Sequence, residues 1–343
     1  MTDALYERDA DMSQIRGRRV AVLGYGSQGH AQALNLSDSH CDVIVGLREG
    51  SPSRQKAMEA GLTVANPQQA CRWANVIMVL VPDTSQPDLY ETAIEPNLKP
   101  GDALLFAHGL CIHFERIAPP EGVDVCLIAP KGPGHLVRSA YVGGGGVPCL
   151  IGATDRSSPQ ALGLALAYAC AIGGGRAGVI RTTFEEETVT DLFGEQTILC
   201  GGLLSLMQMA YETLVNAGYS KEVAYFECMH ELKLIVDLMY MGGSSDMLYS
   251  ISTTAAWGCL TTGPKLIGPE VRASMQEVLA RIQGGSFTKG WFAEIEGGGA
   301  HFKALLDAAR NHPSEAVGAR LRGMMPFLGN NQAPIQAVSG GIG

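Results

Sequence analysis

The 343-residue sequence has no Lys/Arg-rich run, no CxxC pair, no internal repeat and no uninterrupted apolar stretch long enough to cross a bilayer. Each absence removes a class of function. With 34 acidic residues against 25 basic ones, a net charge of −9 and no basic run, nucleic acid is not an expected partner. Nine cysteines are scattered singly, most of them in apolar segments. That pattern fits reduced, buried thiols in a cytoplasmic protein, not a disulfide framework or a zinc site. The longest apolar run, 161–172, is interrupted by Gly163, so no membrane span is expected. The opening M-T-D-A-L-Y-E-R-D-A-D is acidic and lacks the apolar stretch of a secretory leader. Only 17% of residues are charged while 46% are hydrophobic, which suits a globular chain with much of its surface buried or covered by other subunits.

What is present falls into two parts. Up to about Thr183, short apolar runs alternate with helical patterns. Strands are expected at 19–24, 42–47, 76–81, 103–106, 124–129 and 148–152, with helices opening near Gln28 and Ser53. Such alternation predicts an α/β Rossmann domain, a doubly wound parallel sheet, over 1–183. From 184 to 328 the patterns at 185–217, 221–241, 269–283 and 301–321 are helical, which predicts an all-α second domain. The remainder, 329–343, lacks periodicity and is expected to be a disordered tail.

The first strand runs into G-Y-G-S-Q-G: Gly24, Tyr25, Gly26, Ser27, Gln28 and Gly29. Placed between a strand and a helix, this spacing points to a dinucleotide site, with the pyrophosphate on the helix N-terminus. Cofactor choice is read at the end of the second strand, where an acidic residue would favour NAD. Here the stretch is G-L-R-E-G-S-P-S-R. Arg48, Ser51 and Ser53 offer charge and hydroxyls to a 2′-phosphate, with Arg54 as a helper, so NADPH is expected. Glu49 is the contrary residue, and an ordinary polar loop is the alternative. Later strand ends supply Asp83, Thr84, Ser85 and Gln86, then His108, then Lys131, Gly134 and His135. Residues that follow successive strand ends of this fold converge on one crevice.

Two acidic pairs stand in the helical half: Asp191 with Glu195, and Glu227 with Glu231. At i,i+4 on an α-helix, like charges share one face and repel. A hard divalent cation such as Mg2+ takes oxygen ligands of this kind, and four carboxylates are enough for two ions. The residues around Glu227 and Glu231 are apolar nearly all round, so that helix is expected to be buried. Salt bridges to His230 or Lys233 are the structural alternative.

G-Y-G-S-Q-G-H-A, F-A-H-G, A-P-K-G-P-G-H-L-V-R, E-T-V-T-D-L-F-G-E-Q, A-Y-F-E-C-M-H-E-L-K-L-I-V-D-L-M-Y and Y-S-I-S, in this order, resemble ketol-acid reductoisomerase (acetohydroxyacid isomeroreductase) of the short class I form over roughly 1–328. The resemblance implies an NADPH-binding Rossmann domain, a knotted all-α C-terminal domain, and a homodimer with shared active sites, with higher oligomers open. It also implies a reaction: Mg2+-dependent alkyl migration of a 2-acetolactate-type substrate, followed by reduction to a 2,3-dihydroxy acid. By the same resemblance Asp191, Glu195, Glu227 and Glu231 match metal ligands for two Mg2+ ions. His108, Lys131 and Glu195 match catalytic positions, and Ser252 matches the serine that contacts substrate.

One segment departs from the family pattern. Where S-I-S is usually followed by N-T-A-E-Y-G-D, this chain has Thr253, Ala256, Trp257 and Cys259 in place of Asn, Glu, Tyr and Asp. Leu248 and Val189 stand where Arg and Glu are usual. These losses of charge leave open a specialised paralogue acting on a different acyl substrate. A simple NADPH-dependent keto or hydroxy acid reductase without isomerisation is the second alternative, and a catalytically silent scaffold the third.

Overall fold

A computed structural model describes residues 3–325. The expected tail at 329–343 lies outside the described residues. The chain divides into two units, with Thr188 the last residue of the first and Val189 the first of the second.

Unit one is built on a sheet that has eight strands among the described residues: β1 (Arg19–Leu23), β2 (Asp42–Gly46), β3 (Thr63–Ala65), β4 (Val76–Val79), β5 (Ala103–Phe106), β6 (Asp124–Pro130), β7 (Cys149–Ala153) and β8 (Val179–Arg181). Their order is β3-β2-β1-β4-β5-β6-β7-β8. The middle strands β4 and β5, V-I-M-V and A-L-L-F, are buried at every position, as expected where helices cover both faces of a parallel sheet. The order reverses between β1 and β4, and ligands of open α/β sheets bind beyond the strand ends at such a point. β3 and β8 were not among the expected strands, because three residues carry too little pattern to register.

The sheet is parallel as expected, with one antiparallel pair among the described strands, β7 against β6. The intervening helix Gly134–Val142 packs on the helix Ser27–Asp38 instead of crossing from β6 to β7, so the chain turns directly back. All nine cysteines are free thiols, six of them buried.

Unit two is helical, and its breaks differ from the expected ones. The stretch expected as one helix over 185–217 is an α-helix Phe184–Gly194, a π-turn Glu195–Leu199 and an α-helix Gly201–Asn216. Glycines allow this: a Cβ on Gly202 would fall 1.9 Å from the Thr197 carbonyl oxygen of the π-turn. A second π-turn, Phe226–His230, interrupts the next helical stretch, which resumes at Leu232–Ser250. Helices Thr253–Leu266 and Ser286–Glu296 were not anticipated. The expected helix 301–321 is two, Ala300–Arg310 and Pro313–Gly323, because the residue before proline disfavours helix.

The expected burial of the Glu227/Glu231 helix is also corrected. Within a single chain Leu234, Val236, Met239, Tyr240 and Met241 are exposed, Tyr240 at 88%. Unit two buries a small cluster around Tyr211, Ala224, Tyr225, Val317 and Leu321, and these exposed apolar residues find no cover among the described residues. Among the described residues one helical stretch, Phe184–Asn216, has the length and mean hydropathy of a membrane-crossing helix, a property that core helices of water-soluble proteins share. Asp191, Glu195 and a π-turn lie inside it.

Candidate active site at the strand ends

The turn after β1 is shaped for an anion. Gly24 has φ +104°, and a Cβ there would lie 2.6 Å from the Leu80 carbonyl oxygen; one on Gly29 would lie 2.3 Å from the Gly24 carbonyl oxygen. Only glycine fits either place. Around Gly26 no heavy atom stands within 4 Å of where a Cβ would be, so the backbone there is approachable. The helix Ser27–Asp38 begins at Gly26 without a side-chain cap, leaving its first N–H groups for an outside acceptor. The hydroxyl of Tyr25 and Oε1 of Gln86 are buried without a partner among the described residues. Gln86 Nε2 donates to the Val81 carbonyl and to Asp83 Oδ1, fixing the short turn Asp83–Ser85 that carries Thr84 after β4. This donor-rich, side-chain-free cradle fits a dinucleotide pyrophosphate.

Gly134 braces the cradle from the next layer. Its Cβ position is 2.1 Å from the Ser27 carbonyl oxygen, and Gln28 Nε2 donates to the Gly132 carbonyl at 2.9 Å. Gly134→Ala is therefore expected to push the Gly-rich turn out of place. Overpacking of this kind costs about 1–3 kcal/mol. NADPH fluorescence titration should show binding weakened at least tenfold; a Kd within twofold of wild type would remove Gly134 from the cofactor site.

At the end of β2, Arg48 is exposed and Ser51 and Ser53 are half-buried. Ser51 Oγ accepts from the Ser53 N–H at 3.3 Å and keeps its own proton for another acceptor. Arg54, expected as a helper to the phosphate, makes bonds to the backbone. Its Nη1 donates to the carbonyl oxygens of Leu47 and Ala65, at 2.6 and 3.3 Å.

His108 and Lys131, which follow β5 and β6, are brought together by a residue not singled out in the sequence. Glu187, on the helix Phe184–Gly194, is 1% exposed. Its carboxylate accepts from Lys131 Nζ at 2.9 Å and from the Gly109 N–H at 2.9 Å, and lies 3.2 Å from His108 Nδ1. Burial works against ionisation of Glu187, but the hydrogen bond and charge of His108, with Lys131, outweigh it and hold the carboxyl below its ordinary range. His108 at 20% and Lys131 at 33% exposure keep a side open to a substrate. Glu187 was hidden in E-E-E at the first turn of a helix, where acids are common for dipole reasons alone. The available signal was spacing, since Glu187, Asp191 and Glu195 recur every four residues.

Asp191 stands on that helix one turn after Glu187, and Glu195 opens the π-turn. Glu227 lies in the other π-turn and Glu231 directly follows it. Among the described residues π-turns occur three times, and two of them fall at these acids. π-turns are rare and concentrate at functional sites. In the single chain Glu195, Glu227 and Glu231 do not join Asp191 in one cluster among the described residues, and Glu227 and Glu231 are exposed. The alternative salt bridge from Lys233 is not formed with them: Lys233 Nζ pairs with Asp237 at 2.5 Å. Ser252 is exposed and caps the helix Thr253–Leu266, its Oγ accepting from the Ala255 N–H at 3.1 Å.

Comparison with known proteins agrees with this architecture. Residues 14–178 match the acetohydroxy acid isomeroreductase NADPH-binding domain, and residues 184–327 the ketol-acid reductoisomerase C-terminal domain. The second match also takes in the apolar stretch Phe184–Asn216. A solved NADH-preferring ketol-acid reductoisomerase from an uncultured archean is 45% identical with a TM-score of 0.91, covering 94% of this chain and 98% of its own. A semialdehyde dehydrogenase NAD-binding protein from Cupriavidus necator shares the fold at 20% identity and a TM-score of 0.59, covering 78% of this chain and 98% of its own. A pyrroline-5-carboxylate reductase from Coxiella burnetii does so at 13% and 0.54, covering 78% and 96%. With both family domains matched in order across nearly the whole chain, the protein belongs to the ketol-acid reductoisomerase family.

Proposed function

We propose that this ketol-acid reductoisomerase converts 2-acetolactate-type 2-hydroxy-2-alkyl-3-oxo acids to 2,3-dihydroxy acids with Mg2+ and NADPH, as a cytoplasmic enzyme of branched-chain amino acid biosynthesis. The observation that carries the reading is the buried Glu187 holding Lys131 and His108 at the strand ends, beside an uncapped dinucleotide turn. When bound, Mg2+ on Asp191, Glu195, Glu227 and Glu231 supplies Lewis-acid polarisation of the substrate's hydroxyl and carbonyl oxygens, and NADPH supplies the hydride.

The chain's own residues handle protons. As the alkyl group moves from C2 to C3, the C2 hydroxyl proton leaves and the C3 oxygen gains one. A side chain that takes the first proton and returns it to the second leaves this stage balanced. Lys131 and His108 reach outward and suit that exchange, while Glu187 stabilises whichever of them is charged. Reduction then requires hydride at C2 and a proton on its oxygen, which the same pair can give and regain from solvent.

A homodimer with shared sites accounts for two features that one chain leaves unsatisfied. The exposed apolar residues around Tyr240 need cover, and the exposed Glu227 and Glu231 need a cation and further ligands. A second copy supplies the cover and the further ligands. Loss of charge at Ala256 and Cys259 bears on which acyl group is accepted.

The test is oxidation of NADPH with 2-acetolactate and, separately, with 3-hydroxy-3-methyl-2-ketobutyrate, with and without Mg2+. Activity on both, with only the first strictly dependent on Mg2+ for migration, supports the reading. Turnover of the second compound alone makes the protein a simple reductase.

NADPH preference is argued from this chain's own loop, although the archean relative prefers NADH. A charge-assisted contact to phosphate contributes about 1.5–3 kcal/mol. Arg48→Ala with Ser51→Asp keeps an acceptor for the Ser53 N–H while reversing the charge. The ratio of kcat/KM for NADPH to that for NADH should fall at least tenfold. An unchanged ratio would sink the assignment.

A further inference from the structure

The loop between β2 and the helix Ser53–Glu59 is tied at its base by a side chain of that helix. Arg54 Nη1 donates to the carbonyl oxygen of Leu47, which directly follows β2, and to that of Ala65, the last residue of β3. Ala65 O also accepts from the Leu47 N–H at 3.0 Å, so the guanidinium extends the β2–β3 ladder beyond its last strand residue. Residues 48–53 therefore form a short ring whose two ends meet at Arg54. Inside the ring the bonds are long: Ser51 N–H to Arg48 O and Ser53 N–H to Ser51 Oγ are both 3.3 Å, and Gly50 has φ +77°. Internal bonds of that length and a left-handed glycine define such a loop weakly. The charge-assisted bond at 2.6 Å is the short one.

We propose that Arg54 is a positioning residue for cofactor selection: it does not take the 2′-phosphate itself but sets Arg48, Ser51 and Ser53 to take it. The proposal rests on the reading of this loop as the ribose-phosphate reader. Its physical basis is entropic. A tied six-residue ring presents its charge and hydroxyls in one arrangement, whereas an untied ring must be ordered by the ligand at the ligand's expense in affinity. Lysine does not replace arginine here: Nη1 reaches both carbonyls from the end of a longer stem, with its N–H bonds aimed by the planar guanidinium, and a freely rotating ammonium on a shorter stem fixes neither direction.

Arg54→Met and Arg54→Lys test this, with Kd for NADPH and NADH measured by fluorescence titration on the metal-free protein. Both variants are expected to bind NADPH at least fivefold more weakly. In steady-state assays the loss appears in KM for NADPH and not in kcat. The distinguishing measurement is a double-mutant cycle with Arg48→Ala. If Arg54 acts through Arg48, Arg54→Met changes NADPH affinity by less than twofold once Arg48 is gone. Undiminished weakening in that background means Arg54 meets the phosphate independently, which overturns the proposal, as does a single-variant Kd within twofold of wild type. Arg54→Lys retains charge and stem, so it answers the question if Arg54→Met fails to fold. Should wild type bind NADH as tightly as NADPH, the NADPH assignment fails by itself. The phosphate role of Arg54 falls with it, whereas failure of the Arg54 variants alone overturns the positioning and leaves the NADPH assignment standing.

Discussion

Glu195→Gln is expected to abolish conversion of 2-acetolactate, lowering kcat/KM at least a thousandfold while leaving the fold and NADPH binding intact. The two side chains have the same shape, so little packing changes. What is lost is an anionic oxygen, and hard divalent cations bind carboxylates far better than carboxamides. A thousandfold is about 4 kcal/mol at roughly 1.4 kcal/mol per decade, within what a Lewis-acid metal contributes. Glu195 opens a π-turn on an exposed segment, so its removal costs little of the core. Mg2+ should also raise the melting temperature of wild type and not of the variant, since a ligand that binds the native state stabilises it by mass action. Near-normal, Mg2+-dependent isomerisation in the variant would exclude Glu195 as an essential ligand.

Glu187→Gln should lower kcat by about 10²–10⁴, the usual range for losing a positioned acid–base system. A carboxamide oxygen still accepts from the Gly109 N–H, but Lys131 and His108 then face each other without the buried negative charge. The pH profile of kcat should shift with it, because neither cation keeps its protonated form as readily. Stability changes with a definite sign. The folded carboxyl of Glu187 lies below its ordinary value of 4.5, so its contribution is full above that value and disappears as pH falls through the lower folded one. Denaturant titrations from pH 7 down to pH 3 should show wild type losing part of its advantage over the variant below about pH 4.5. A parallel pair of stability curves, or a kcat within threefold of wild type, would remove Glu187 from the site.

Much of unit one was legible because its signals are local. Arg19–Leu23 followed by Gly24, Gly26 and Gly29 specifies a strand, a tight turn and a helix start within eleven residues, and the steric contacts at Gly24 and Gly29 show why. The buried runs of β4 and β5 could be read from composition alone. The three-residue strands β3 and β8 were not, since they exist only by pairing with β2 and β7. Unit two was legible as helix and misread in its details. π-turns at Glu195 and Phe226 leave no periodic trace, and the apolar pattern that suggested burial describes a surface left open in one chain.

By itself, then, the sequence determined the two-part plan, the dinucleotide turn and the four-residue spacing of the acids, because each is written in residues close together along the chain. Tertiary structure alone decided that Glu187 joins Lys131 and His108. Those residues are 56 and 79 positions apart from it, and only the sheet order places their strand ends side by side. It also decided that Nη1 of Arg54 faces two carbonyls. A side chain's partner is set by which backbone lies within its reach, and neighbouring strands put Leu47 and Ala65 there.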